Sequence, residues 1–208
     1  RRGASNCRLI DPLEAKTTMA GDGSKALLLL GCESADCPVG TLLDQGVRIA
    51  EQHGGKVLSS RVSEPDFEAG DKKGTGGGSQ WKDSFLLAPY LRDTFVACGV
   101  LSETFETAIT WDRFEEFHAD VMSTARRVVA EVCGVSPDGE GAPRISCRLT
   151  HVYPDGAAPY FTVLAPARRG GEVEQWDEIK AAVSEALIEG GGTITHHHAV
   201  GRDHRPWY

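Results

Sequence analysis

The stretches Arg144-Ile145-Ser146-Cys147-Arg148-Leu149-Thr150-His151-Val152-Tyr153 and Ala158-Pro159-Tyr160-Phe161-Thr162-Val163-Leu164-Ala165-Pro166, with Pro154-Asp155-Gly156 between them, decide the fold. Both are rich in β-branched and aromatic residues, and the Pro-Asp-Gly link is a tight-turn signal, so they read as an antiparallel hairpin. Upstream, Asp112 followed by Glu115 starts a helix in capping-box fashion. Phe114, Phe117, Val121, Ala125, Val128 and Val132 recur on its buried face. Thr104, Phe105, Thr107, Ile109 and Trp111 form a β-rich stretch before it. Gly134 to Pro143 is a loop. Downstream, Val173 to Glu189 is an amphipathic helix closed by Gly190-Gly191-Gly192. A short strand, Thr193 to Thr195, then delivers His196, His197 and His198.

Toward the N-terminus, Arg8 to Pro12 reads as a short strand or arm, and the stretch to Lys25 is polar. Ala26 to Gly31 is a strand, Val39 to His53 a helix ended by Gly54-Gly55, and Lys56 to Val62 a second strand, giving a βαβ or split βαβ unit. Residues 65–80 hold Gly70, Gly74, Gly76, Gly77 and Gly78 among charges, which reads as a mobile loop or lid. That run lacks the Gly-Lys-Ser or Gly-Lys-Thr ending of a phosphate-cradling loop. Trp81 to Cys98 has helical spacing broken by Pro89, which predicts two pieces or a kink. This order predicts an α+β fold, a mostly antiparallel sheet covered by helices on one face and built from two ferredoxin-like halves, over a single unit of residues 1–208. No element closes it after Trp207-Tyr208, as expected of a fragment.

The chain has 208 residues, 40% hydrophobic and 25% charged, which is ordinary globular composition. A net charge of −8 repels phosphate backbones and argues against nucleic acid as partner. The longest apolar run, Ala26 to Leu30, is far too short to cross a membrane. The six cysteines form no Cys-x-x-Cys pair, and Cys32 and Cys37 have poor metal spacing. Reduced thiols and a cytoplasmic setting, with a membrane-peripheral one as the variant, are the expectation.

Three consecutive histidines inside a domain are the dominant chemical signal. On a strand His196 and His198 face one way and His197 the other, so one metal cannot take all three unless the chain turns sharply. The segment is a solvated polar loop, a metal site, or an active-site strip whose imidazoles meet a polar cofactor or substrate. Arg92, in Ala88-Pro89-Tyr90-Leu91-Arg92-Asp93, is either a surface partner of Asp93 or a planar fork for phosphate or carboxylate. Tyr160 is a core strand residue or a polar handle. Arg148, charged inside a strand pattern, must face solvent, a partner domain or an anion. Lys82 and Arg202 are further anion candidates.

Gly191-Gly192-Thr193-Ile194-Thr195-His196-His197-His198-Ala199-Val200-Gly201, preceded by Tyr160, by Ala88-Pro89-Tyr90-Leu91-Arg92-Asp93 and by Phe105-Glu106-Thr107-Ala108-Ile109-Thr110-Trp111-Asp112-Arg113, resembles the C-terminal half of alkyldihydroxyacetonephosphate synthases, flavoproteins of the vanillyl-alcohol-oxidase type. The likeness runs from about Asn6 to Tyr208. It implies a cap domain that closes the substrate site over FAD held by an N-terminal domain of the same protein, and a reaction that exchanges the acyl chain of acyl-dihydroxyacetone phosphate for a fatty alcohol through a flavin N5 adduct. Carried over by the resemblance, Tyr160 would be the acid/base group, Arg92 and Arg148 would hold the phosphorylated or carboxylated and lipid-like substrate, and His196, His197 and His198 would line the site, with His197 and His198 toward the cofactor and no metal. A homodimer is a further expectation. Ala199 departs from the family's frequent Gly, and the composition suggests a bacterial relative. An FAD-dependent oxidase or dehydrogenase of a hydroxy acid or alcohol, and a non-enzymatic metal-binding or interaction module, are the competing readings.

Overall fold

The computed structural model describes residues 4–34, 36–60 and 77–208, with backbone alone for 77–85. The hairpin is its centre: β5 (Arg144–Val152) and β6 (Gly156–Pro166) run antiparallel, closed by the Tyr153 N–H donating to the Gly156 carbonyl at 2.8 Å. The register shifts between Leu149 and His151. Such a bulge re-aims side chains, and it lets the sequence neighbours Thr150 and His151 line the same cavity. The strand β3 (Val100–Glu106) flanks β6, with the two-residue β4 (Ile109–Thr110) on the turn end of β6. On the other side β1 (Asn6–Ile10) flanks β5, and β2 (Leu27–Gly31) lies beyond it. The sheet order is β2-β1-β5-β6-β3, every pair antiparallel.

Two helices, α4 (Trp111–Cys133) and α5 (Glu172–Glu189), cover one face. The path β3-α4-β5-β6-α5 is ferredoxin-like in order, and the N-terminal half joins the same sheet through β1 and β2. The core lies between sheet and helices: Phe105, Cys147, Phe161 and Val163 against Phe117, Val121, Ala125, Val129, Ile179, Val183 and Leu187. Phe105 and Phe161, cross-strand partners, stack at 4.7 Å between ring centroids. α4 buries the face its periodicity predicts, and Gly134 closes it in the left-handed conformation (φ 67°). Glu103 is buried in this layer, where it pairs with Lys180 at 2.8 Å and accepts from the Trp176 indole N–H, so its charge has partners.

Several expectations give way. A helix, α1 (Pro12–Thr17), occupies part of the stretch read only as polar. Asp11 caps it, accepting from the Glu14 N–H at 2.6 Å, and Pro12 supplies the pre-set φ of a first turn. Lys56–Ser60 form no strand: after α2 (Gly40–Gln52) they are exposed, and β1 rather than a βαβ return takes the place beside β2. Residues 61–76, with most of the Gly-rich stretch, lie outside the described residues, and the remaining 77–80 begin α3 (Gly77–Ala97). That helix runs through Pro89 as one element and not as two pieces, the first of the two alternatives; a proline there forgoes a backbone hydrogen bond without dividing it. Thr193–Thr195 are not a strand either. Thr193 side-chain and main-chain groups meet residues 107 and 108: Thr193 Oγ1 accepts from the Ala108 N–H (2.9 Å), and the Thr193 carbonyl accepts from Thr107 Oγ1 (2.5 Å). A hydroxyl standing in for a ladder partner ends regular pairing.

Phe161 is fully buried and stacked, so Phe161→Ala lowers stability by about 3–5 kcal/mol. Urea unfolding of this chain measures it, and a loss under about 1 kcal/mol would show that the core lies elsewhere.

Candidate functional site

Side chains alternate along a strand, so the residues that do not enter the core line up on the opposite face. Register pairs Glu106 of β3 with Tyr160 of β6, Tyr160 with Arg148 of β5, and Arg148 with Ile10 of β1. This row runs across the sheet one residue out of step with the Phe105–Phe161–Cys147 row of the core. Helix α1 covers its β1 end. Glu14, buried there, binds both Ser146 Oγ and Arg148 Nη1. The histidine segment arrives from α5 at its β3 end.

Arg148, held by Glu14, lies over the Tyr160 ring with Cζ 3.8 Å from the centroid. Its Nε, buried, has no hydrogen-bond partner among the described residues. Arg8 of β1 stands on the same face. Burial, then the neighbouring positive charge of Arg148, lowers its pKa. Arg8, Arg148, Thr150, His151, Tyr160, His197 and His198 line one cavity of about 260 Å³.

The histidines sit on a sharp turn held by Glu106. Glu106 Oε1 accepts from three successive main-chain N–H groups, those of His196 (2.8 Å), His197 (2.5 Å) and His198 (2.7 Å), and from Thr195 Oγ1 (2.8 Å). Burial raises the pKa of this carboxyl, but the donors at His197, His198, Thr195 and His196 outweigh burial and bring it down to about 2. Glu106 Oε2, also buried, lies 2.5 Å from His197 Nδ1 and 3.9 Å from His196 Nδ1. The turn brings the rings of all three together: His198 packs edge-on to Tyr160 at 5.1 Å, His197 lies 4.8 Å from His198, and His196 lies 4.9 Å from His151. Tyr153 Oη and His196 Nε2 are 3.1 Å apart. Burial, followed by the charges of His196 and His197, lowers the pKa of His151. Burial also lowers that of His198, against the pull of Glu106. Both imidazoles are therefore neutral at pH 7.

The strand geometry that would have separated the histidines is absent. Two sets of side chains, His151 with His196 and His197, and Glu106 with His197 and His198, bring their nitrogens and carboxylate oxygens within 4.8 Å of one another, close enough for a metal ion. Glu106 Oε1, however, already accepts four donors. Two further features fix the turn. Ala199 has a positive φ (66°), the left-handed conformation that glycine adopts freely. A Cβ on Gly192 would lie 2.7 Å from both Phe117 Cζ and Thr107 Oγ1, so only glycine fits between α5 and the histidines.

Of the residues singled out from sequence, Tyr160, Arg148, His197 and His198 meet at this cavity, with His196 beside them. Arg92 is exposed on α3 and does not line it. Glu106, Arg8, Glu14, His151 and Tyr153 escaped the sequence reading. The available signal was a charged residue inside strand patterns, at Glu106 and Arg8, and a histidine at a hairpin end.

The family model "FAD linked oxidases, C-terminal domain" matches residues 3–208. The chain belongs to this family. Within it the chain is similar to alkyldihydroxyacetonephosphate synthases, with 35% identity over 144 residues to that of Caenorhabditis elegans (64% of this chain, 22% of the relative) and 27% over 134 residues to that of Trypanosoma brucei brucei (64% and 21%). A solved alkyldihydroxyacetonephosphate synthase superposes with a TM-score of 0.66 over 92% of this chain and 35% of its own, at 16% identity, a likeness of fold. The chain thus spans about a fifth of the length of the curated relatives it matches. As a C-terminal domain of an FAD linked oxidase, it places its polar row on the sheet face away from its own core.

The Glu106 carboxyl titrates near pH 2 when folded and in the ordinary carboxylate range when unfolded, so its contribution to stability is complete above about pH 5 and disappears as pH falls toward 2. The expected loss is up to about 3 kcal/mol. Urea midpoints of the chain from pH 2.5 to 6, compared with Glu106→Gln, measure it. Parallel curves for the two proteins would contradict this electrostatic account.

Proposed function

We propose that this chain is the substrate-binding half of an FAD-dependent enzyme that, like its alkyldihydroxyacetonephosphate synthase relatives, replaces the acyl chain of an acyl-dihydroxyacetone phosphate with a fatty alcohol. The observation that carries this reading is the convergence of two guanidiniums, a tyrosine and three histidines on one cavity of about 260 Å³. Arg148, although paired with Glu14, still lowers the pKa of the neighbouring Arg8, and an anion bound beside both would offset that repulsion. The orphaned Arg148 Nε and the planar forks of Arg8 and Arg148 fit phosphate oxygens.

The cavity is too small for a whole dinucleotide. Its donor-rich wall fits the edge of a flavin held by another domain of a longer protein, with His197 and His198 as the contacting residues. When bound, FAD supplies the electrophilic, electron-accepting isoalloxazine that activates the substrate carbon. The chain's own residues do the rest. Arg8 and Arg148 hold the phosphate and so orient the substrate. Tyr160 Oη hands over and takes back a proton at the reacting carbon, with the Arg148 cation fixed against its ring. The neutral imidazoles of His151 and His198 serve as hydrogen-bond partners without adding charge.

The full-length flavin-loaded protein, given a long-chain acyl-dihydroxyacetone phosphate and a labelled fatty alcohol, should release fatty acid and form the alkyl product with no electrons passed to an external acceptor. Bleaching of the flavin by 2-hydroxy acids, with electrons passed on and no exchange, would establish the oxidase or dehydrogenase reading instead. Tyr160→Phe should lower kcat by about 100-fold or more. Arg148→Ala should raise KM, while exposed Arg92→Ala should leave both constants within about 3-fold, a change of under 1 kcal/mol. An equal effect at Arg92 would move the phosphate out of this cavity.

A further inference from the structure

We propose that Glu14 is a positioning residue that holds the Arg148 guanidinium against the Tyr160 ring, and so acts on the reaction through Arg148 without touching the substrate. Glu14 lies on α1, and its side chain is sealed from solvent, at 3% exposure. Its two oxygens have separate partners. Oε1 accepts from Arg148 Nη1, and Oε2 accepts from the Ser146 hydroxyl. Ser146 and Arg148 are alternate residues of β5 and share one face of that strand. Arg148 and Tyr160 line the cavity, whereas Glu14 is not among its lining side chains. It reaches the cavity only through the guanidinium.

The seat of Glu14 is built by Asp11. Asp11 Oδ1 accepts from the Glu14 N–H at 2.6 Å and Asp11 Oδ2 from the Cys147 N–H at 2.5 Å, while the Asp11 N–H donates to the Cys147 carbonyl at 3.1 Å. The first turn of α1 is thereby fastened to the strand residue between Ser146 and Arg148, and Glu14 has little freedom to follow a moving guanidinium. On the other side of Arg148, Cζ lies 3.8 Å from the centroid of the Tyr160 ring. A planar fork fixed at one edge by a buried carboxylate and on one face by an aromatic ring keeps a single orientation.

Glu14 also offsets the charge of Arg148. Without that carboxylate the cavity is more positive and attracts an anion more strongly, while the guanidinium loses its anchor and is drawn from the ring toward the anion. Binding and turnover then part company: binding holds or improves, and turnover falls. A lesion that only loosened the fold would weaken both. The inference rests on the proposed function for the identity of the substrate and for Tyr160 as the proton carrier. The placement of the guanidinium does not depend on that reading.

The test uses the flavin-loaded full-length protein and Glu14→Gln, which keeps the shape and a neutral acceptor but removes the charge. With acyl-dihydroxyacetone phosphate as substrate, kcat falls about 10-fold, the scale of exchanging a charge-assisted hydrogen bond for a neutral one, and KM stays at or below that of the wild type. In an Arg148→Ala background Glu14→Gln changes kcat by no more than about 2-fold, because the residue it acts through is gone. NMR of arginine-labelled protein reads the placement directly. In the wild type one guanidinium N–H signal, missing from Arg148→Lys, is shifted upfield by the ring current of Tyr160, and in Glu14→Gln it returns toward its ordinary position. A wild-type signal with no upfield shift overturns the proposal. So does a Glu14→Gln protein whose signal stays in place, whose KM rises in step with the loss of kcat, or whose loss of kcat persists undiminished without Arg148. Where Glu14→Gln does not fold, Glu14→Asp, which keeps the charge on a shorter arm, decides by the same signal: displaced as stated, or unmoved and the proposal fails. Inactivity of the wild type toward this substrate, with the guanidinium signal behaving as stated, counts against the proposed function and leaves the role of Glu14 in placing Arg148 standing.

Discussion

One carboxylate oxygen receiving three consecutive main-chain N–H groups is an unusual concentration of donors, and the site is organised around it. The charge of Glu106 is buried, which by itself is unfavourable, and the amides of residues 196–198 replace the water it has lost. In return, a stretch with no regular secondary structure acquires a fixed path. Glu106 lies on β3, whose other face is locked into the core through Phe105. The positions of three imidazoles therefore follow from the packing of an aromatic pair on the opposite side of the same strand.

The sheet acts as a partition. Its covered face is a conventional apolar layer in which the buried carboxylate of Glu103 is neutralised by Lys180 and Trp176. Its other face carries Glu106, Tyr160 and Arg148 in a single cross-strand row, and a second carboxylate, Glu14, tethers the far end of the row as Glu106 tethers the near end. Between the two acids sits a cavity rich in donors and positive charge. The protein thus holds an anion-seeking surface in place with buried negative charges that do not open into it.

The parts of this arrangement legible in the sequence are those set by local pattern: the hairpin with its Pro154-Asp155-Gly156 turn, the apolar stripes of α4 and α5, and the rarity of three adjacent histidines. Tyr160 and Arg148 were legible as polar residues in strand patterns, and the structure brings them to the histidines. What was not legible depends on residues far apart in the chain. The bonds from Glu106 to residues 195–198 span about ninety positions, and no local rule marks this acid as their acceptor. The same is true of Glu14, which meets Arg148 across the sheet. Thr193–Thr195 read as a strand because Thr and Ile favour one, but a threonine hydroxyl took the place of a ladder bond. Lys56–Ser60 read as a strand from local pattern, but the segment that pairs with β2 is β1, an earlier one, in antiparallel register.

The glycine at position 192 ties the two faces together in a further way. Its missing side chain leaves just enough room for the Phe117 ring of the helix layer to approach the segment that carries the histidines. Repacking beneath the sheet therefore moves the rings above it, and a bulkier residue at 192 shifts both at once. Altered substrate preference is for this reason more readily sought among side chains that ring the opening, such as Thr150 and His151, whose exchange leaves the helices where they are.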